Sequence, residues 1–117
     1  MSDLTKDFRE LYEQAKITLD KEQNIMQVIV IGTEENKIYT FANHGTDIEE
    51  LQFISLLQKN GDVKIAKLLC LWSSLELDVP SMYFRTLLIK LHPENKIAKL
   101  ILQGEEGYII KELGMLV

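Results

Sequence analysis

The chain has 117 residues, 46% of them hydrophobic, and a formal net charge of −5 from 18 acidic and 13 basic residues. That length supports one domain with one hydrophobic core, expected over residues 1–117. The charge balance excludes a basic nucleic-acid-binding face, and no apolar run reaches the roughly 20 residues that cross a bilayer. The lone Cys70 excludes an intramolecular disulfide and any multi-cysteine metal site.

The start, Met1 to Asp7, is polar and carries no apolar signal core, so the expected location is cytoplasmic, with neither nucleic acid nor membrane as partner. Leu4, Phe8, Leu11, Ala15 and Leu19 recur at intervals of three and four, one face of an amphipathic helix. Ser2 or Asp3 is placed to cap it. Ile25 to Ile31 is β-branched and apolar, a buried strand. A polar turn from Gly32 to Lys37 leads to a returning strand, Ile38 to Phe41, which ends at Asn43-His44-Gly45.

Thr46-Asp47-Ile48-Glu49 is a capping-box pattern that opens a second helix. Its spacing predicts burial of Ile48, Leu51, Ile54 and Leu57, with Phe53 alongside. Asn60-Gly61 stops it. Val63 to Trp72 is a third strand, and the helix before it makes a crossover that favours parallel pairing. A third helix follows Pro80, with Phe84, Leu87, Leu88 and Leu91 towards the sheet, and stops at His92-Pro93-Glu94-Asn95. Lys96 to Leu102 is a fourth strand. The five residues Gln103 to Gly107 are too few for a crossover helix, so Tyr108-Ile109-Ile110 pairs antiparallel with it. Lys111 to Leu116 is placed to form a last helical turn. The expected architecture is α/β: a mixed five-stranded sheet between helices, its last two strands an antiparallel hairpin.

This order resembles the cytidine deaminase family of the small, nucleoside-deaminating type, over nearly the whole chain. Asn36-Lys37-Ile38-Tyr39-Thr40-Phe41-Ala42-Asn43 is similar to the family's second strand, which reads G-K-I-Y-T-G-x-N. The resemblance implies that Asn43 matches an asparagine that contacts the substrate ribose. The family's next helix opens with C-A-E. Counting back from Gly61 puts Ile48 at the cysteine and Glu50 at the catalytic glutamate; a one-residue gap puts Asp47 and Glu49 there instead. The loop before this helix lacks the segment that carries a substrate-binding glutamate in the family. The third helix of the family opens with P-C-x-x-C-R, and here Pro80-Ser81-Met82-Tyr83-Phe84-Arg85 stands in its place. Pro80 and Arg85 remain, while Ser81 and Phe84 replace both cysteines. The closing Ile110 to Leu116 also resembles the family's tail.

In that family three Cys/His ligands hold a zinc that activates water, and a glutamate shuttles protons. A serine hydroxyl stays protonated near neutral pH and a phenylalanine has no donor, so the resemblance implies a degenerate site at Asp47, Glu50, Ser81 and Phe84. No metal ligand is assigned and zinc is expected to be absent. The expectation is a catalytically inactive, deaminase-like binding or interaction module. A divergent nucleoside deaminase and a nucleoside or nucleotide sensor, with Asn43 as its contact, stay open as alternatives. The family's habit of assembling through its helices implies a homo-dimer or homo-tetramer, with Met82, Tyr83 and Phe84 as interface residues.

Structural roles account for the same residues. Ser81 reads as a helix cap, Glu49 and Glu50 as groups that complement a helix N-terminus, Arg85 as a surface or interface charge, and Cys70 as a core thiol. His44 and His92 lie at element ends and lack metal-pair spacing. A Ser-His-Asp site from Ser73, Ser74, Ser81, His44 and Asp78 is rejected, because no nucleophile-elbow glycines flank these serines.

Overall fold

A computed structural model describes residues 6–116. The most apolar strand, β1 (Gln27–Thr33), is buried at every position, because it has a neighbour on each side and helices on both faces. In chain order the elements are α1 (Lys6–Lys21), β1, β2 (Ile38–Asn43), α2 (Asp47–Lys59), β3 (Ile65–Trp72), α3 (Met82–Leu91), β4 (Lys99–Gly104) and β5 (Gly107–Glu112). Short 3-10 turns cover Pro93–Ile97 and Leu113–Leu116.

The five strands form one mixed sheet in the order β2-β1-β3-β4-β5. β1 pairs antiparallel with both β2 and β3, β3 pairs parallel with β4, and β4 pairs antiparallel with β5. The expected α/β architecture is therefore the observed one. The expected parallel pairing through the α2 crossover needs correction. β2 and β3 do run the same way, but β1 lies between them, so the crossover steps over one strand.

Alternate residues of the central strands feed two cores, one per face. Val28, Val30, Leu69, Leu71 and Ile101 pack under α1 with Phe8, Leu11 and Ala15. Leu19 joins them partly buried. Ile29, Ile31, Leu68, Cys70 and Leu100 pack on the opposite face with Ile54 and Leu57 of α2 and Phe84 and Leu88 of α3. Each of the Val, Leu, Ile and Phe side chains contributes about 1.5–3 kcal/mol by leaving water. The layers are α1, sheet, then α2 with α3. Leu4 and the expected caps Ser2 and Asp3 lie outside the described residues.

α2 is rotated relative to its expected face. Ile48 is 74% exposed and Leu51 47%, whereas Glu50 is 2% exposed. Its inward stripe is Glu50, Phe53, Ile54 and Leu57, still helical in spacing but started from a carboxylate. Its end follows the expected stop. Gly61 takes φ +74, and the amides of Gly61 and Asp62 close back on Gln58 O and Leu57 O.

The fourth strand starts later than expected, at Lys99. Pro93–Ile97 coils first, because the buried Asn95 side chain bonds three backbone groups across elements. Its Oδ1 accepts from Ile65 N at 2.8 Å, and its Nδ2 donates to Val63 O at 2.9 Å and Leu88 O at 2.8 Å. The amide does the work of a ladder at the point where β3 begins.

Candidate functional site

The loop from Asn43 to Thr46 turns the chain from β2 into α2. Asn43 Oδ1 accepts from Gly45 N at 2.9 Å, and Thr46 caps α2 by accepting from Glu49 N at 3.1 Å. Glu49 does not return to the cap residue as in a closed capping box. Its carboxylate reaches further back and accepts from His44 N at 2.7 Å, with the His44 ring Nδ1 at 2.6 Å. Burial works to raise the Glu49 pKa, but the bonds from His44 outweigh it and hold the carboxyl below its ordinary value.

One turn into α2, Glu50 points inward. Its Oε2 accepts from Asn43 Nδ2 at 2.9 Å and its Oε1 accepts from Ser81 Oγ at 2.7 Å. Ser81 is also the cap of α3, where its Oγ accepts from Phe84 N at 3.0 Å. The carboxylate therefore lies where the N-termini of α2 and α3 converge, and both helix dipoles favour a negative charge there. Asn43 Nδ2 also donates to Gln27 Oε1 at 3.1 Å. Gln27 and Asn43 are each 0% exposed, and Gln27 Nε2 has no partner among the described residues.

Of the positions singled out from the sequence, Asn43, Glu50 and Ser81 form one hydrogen-bonded unit. Phe84 follows one turn along α3 and is 0% exposed. It meets Phe53 edge-on at 6.4 Å, and Phe53 stacks on Phe41 at 4.4 Å. Of its two expected places, facing the sheet and at an interface, Phe84 takes the first, whereas Met82 is 59% and Tyr83 39% exposed. Asp47 is exposed and outside the network, and Ile48 faces solvent. Arg85 Nε donates to Pro80 O at 3.0 Å and its guanidinium bonds Leu116 O, tying the chain's end to α3. His92 caps the Pro93–Ile97 turn by accepting from Glu94 N at 3.1 Å. His44 bonds Glu49, Ser74 bonds Glu76 and Ser81 bonds Glu50, so no serine–histidine pair is assembled among the described residues.

The zinc implied by the resemblance needs at least three nitrogen, sulfur or carboxylate donors at about 2.0–2.3 Å. This position offers one carboxylate and one hydroxyl, both already bonded, beside an apolar ring and an outward-facing isoleucine. The residues do not fit zinc. Cys70 is no substitute, because burial pushes its thiol well above its ordinary range and the nearby Asp78 and Glu50 charges add to the rise. Among the described residues no group of three or more His, Cys, Asp or Glu could hold a metal ion.

A second polar cluster, not foreseen from the sequence, lies at the other end of β3. Asp62, 4% exposed, accepts from the Tyr39 hydroxyl and from Lys37 Nζ at 3.2 Å. The Tyr39 hydrogen bond, aided by Lys37 and opposed by burial, holds the Asp62 carboxyl below its ordinary value. Asn60 Nδ2 donates to Tyr39 Oη at 3.1 Å. Asp62 borders a concavity of about 320 Å³ that Thr33, Glu34, Glu35 and Lys64 also line. Its only sequence signal was an aspartate directly after the glycine that ends α2.

No family model matches the chain, and no curated protein matches it. Fold and layer order define a three-layer α/β protein with a mixed sheet. Among solved structures the chain is similar to the crystal structure of cytidine deaminase from Mycobacterium leprae. The TM-score is 0.62 at 16% identity, covering 91% of this chain and 96% of that chain. At that identity the likeness shows a cytidine-deaminase-like fold.

Proposed function

We propose that this chain is a cytidine-deaminase-like scaffold that binds no zinc, does not deaminate nucleosides, and serves as a binding or interaction module. The observation that carries the reading is the occupancy of Glu50. Both its oxygens are spent on Asn43 and Ser81, at the position where a deaminase needs a free proton shuttle beside a metal-bound water. Phe84 supports it further, filling the core where the resemblance calls for a ligand. Without an activating metal, water at neutral pH is too weak a nucleophile to displace ammonia from a cytosine ring. The same bonds argue against a nucleoside pocket at Asn43, whose amide is fully engaged.

The proposal extends to self-association. Ile48, Met82 and Tyr83 expose apolar surface at the starts of α2 and α3, of the kind that partners cover. A cytoplasmic setting is part of the same reading; no helix among the described residues is long and apolar enough to cross a membrane.

The test is metal content of chelator-free protein by elemental mass spectrometry, with a cytidine deamination assay on the same sample. Zinc far below one per chain and no ammonia release are the expected results. One zinc per chain, or turnover abolished by Glu50→Gln, overturns the proposal.

A further inference from the structure

The two edges of the sheet are protected very differently. β2 has no exposed residue, and both α1 and α2 pack on it. β5 has no buried residue, and among the described elements only β4 and the short Leu113–Leu116 turn pack closely on it. Ile109 and Ile110 point to opposite faces and are each 43% exposed. β5 carries no proline, and its pairing with β4 shows no bulge; Lys111 is its one edge-guarding lysine.

The free backbone groups can be assigned. β4 and β5 keep one register from Gly104↔Gly107 to Lys99↔Glu112, and Leu113 N continues it by donating to Ala98 O at 2.9 Å. Bonded pairs alternate along such a ladder, so Gly107, Ile109 and Lys111 face β4. Tyr108, Ile110 and Glu112 then direct their N–H and C=O groups away from the sheet, and no described residue pairs with them.

We propose that this edge pairs antiparallel with β5 of a second copy, about a twofold axis at Ile110, joining two sheets into one. The sequence of the strand selects the occupant and the register. Centred on Ile110, the pairing engages the outward groups of Tyr108, Ile110 and Glu112 on both strands. Ile110 meets Ile110 of the other copy, Tyr108 lies opposite Glu112, and Ile109 opposite Lys111, so no like charges face each other. Centred on Lys111, two lysines meet. Centred on Ile109, Glu106 meets Glu112 and fewer outward groups are used. One strand pair makes a small interface, so the dimer is a weak, concentration-dependent one. This inference rests on the proposal that the chain self-associates, but names a surface separate from the starts of α2 and α3.

The experiment uses the full chain in sedimentation velocity over a concentration series, together with oxidative cross-linking. The wild type is expected to dimerise. Ile110→Pro removes an N–H that is unpaired within the monomer, and is expected to weaken association by roughly tenfold or more while circular dichroism stays unchanged. Ile110→Cys is expected to form a disulfide dimer, because paired Cα atoms about 5.5 Å apart lie within disulfide reach. Ile109→Cys, which lies opposite Lys111 in this register, is expected to form no disulfide dimer under the same oxidant. Met82→Glu is expected to leave the Ile110→Cys cross-link intact. Loss of association in Met82→Glu but not in Ile110→Pro overturns the β5 interface and keeps association through the helix starts. Monomer at every wild-type concentration overturns both, and cross-linking of Ile109→Cys in place of Ile110→Cys overturns the register.

Discussion

Ser81 and Glu50 lock the starts of two helices together. The Ser81 hydroxyl accepts the Phe84 amide to cap α3 and donates to Glu50 Oε1 at 2.7 Å to hold α2. A single oxygen thus serves as both cap and bridge. Asn43 completes the lock from the sheet side by donating to Glu50 Oε2. The carboxylate is the joint between β2, α2 and α3, at one of the two positions, Glu49 or Glu50, where the resemblance puts a catalytic glutamate.

Glu50→Ala should therefore act on stability. It strands the Asn43 amide and frees the Ser81 hydroxyl inside the protein, at an expected cost of about 2–4 kcal/mol. Glu50→Gln should cost less, about 1 kcal/mol, because the Ser81 oxygen can accept from the new amide while the remaining carbonyl accepts from Asn43. Urea unfolding of both variants against the wild type measures the difference. Equal losses would mean that charge, rather than hydrogen bonding, carries the joint.

Asp62 makes acid stability depend on Tyr39. The Asp62 carboxyl is held below its ordinary value, with the Tyr39 hydroxyl as the main cause. A lowered folded pKa means that the stabilisation is present above the unfolded value and disappears as pH falls through the folded one. Tyr39→Phe should then be less stable than wild type at neutral pH. The two should converge as pH is lowered from roughly 5 to 2. Urea midpoints at several pH values check this, and a gap that stays constant into acid would refute the assignment.

Asn95 is expected to be among the costliest polar residues to remove. Asn95→Ala leaves Ile65 N, Val63 O and Leu88 O without their partner, at an expected cost of about 2–4 kcal/mol. Asn95→Asp keeps the acceptor for Ile65 N but turns both carbonyls towards a carboxylate, and should fare no better. Thermal unfolding of the two variants measures this. A loss under about 1 kcal/mol for Asn95→Ala would show that water replaces the amide.

Much of the candidate site was legible one residue at a time. Ser81 before an apolar helix is a cap by residue type, and Asn43 before Gly45 is a turn residue by residue type. Their meeting at Glu50 was not legible, because the three positions come from different elements and nothing local says which way α2 is turned. Ile48 and Leu51 suggested an apolar face at helical spacing, yet the helix buries Glu50 instead. Three charge-complementing contacts, two side-chain donors and a converging helix start, offset the burial of the carboxylate and leave two apolar side chains in solvent.

The sequence by itself determined the order and type of the helices and strands, though not their exact bounds. β-branched runs, helical spacing and the Asn60-Gly61 stop act through neighbours along the chain, so local physics reads them out. The tertiary structure alone decided that β1 lies between β2 and β3, that Asn95 coils the chain ahead of β4, and that Glu50 is the joint of two helices. Those outcomes depend on which strand edges and polar groups remain unpaired once the chain is compact. Burying an unpaired group costs as much as several favourable local preferences supply.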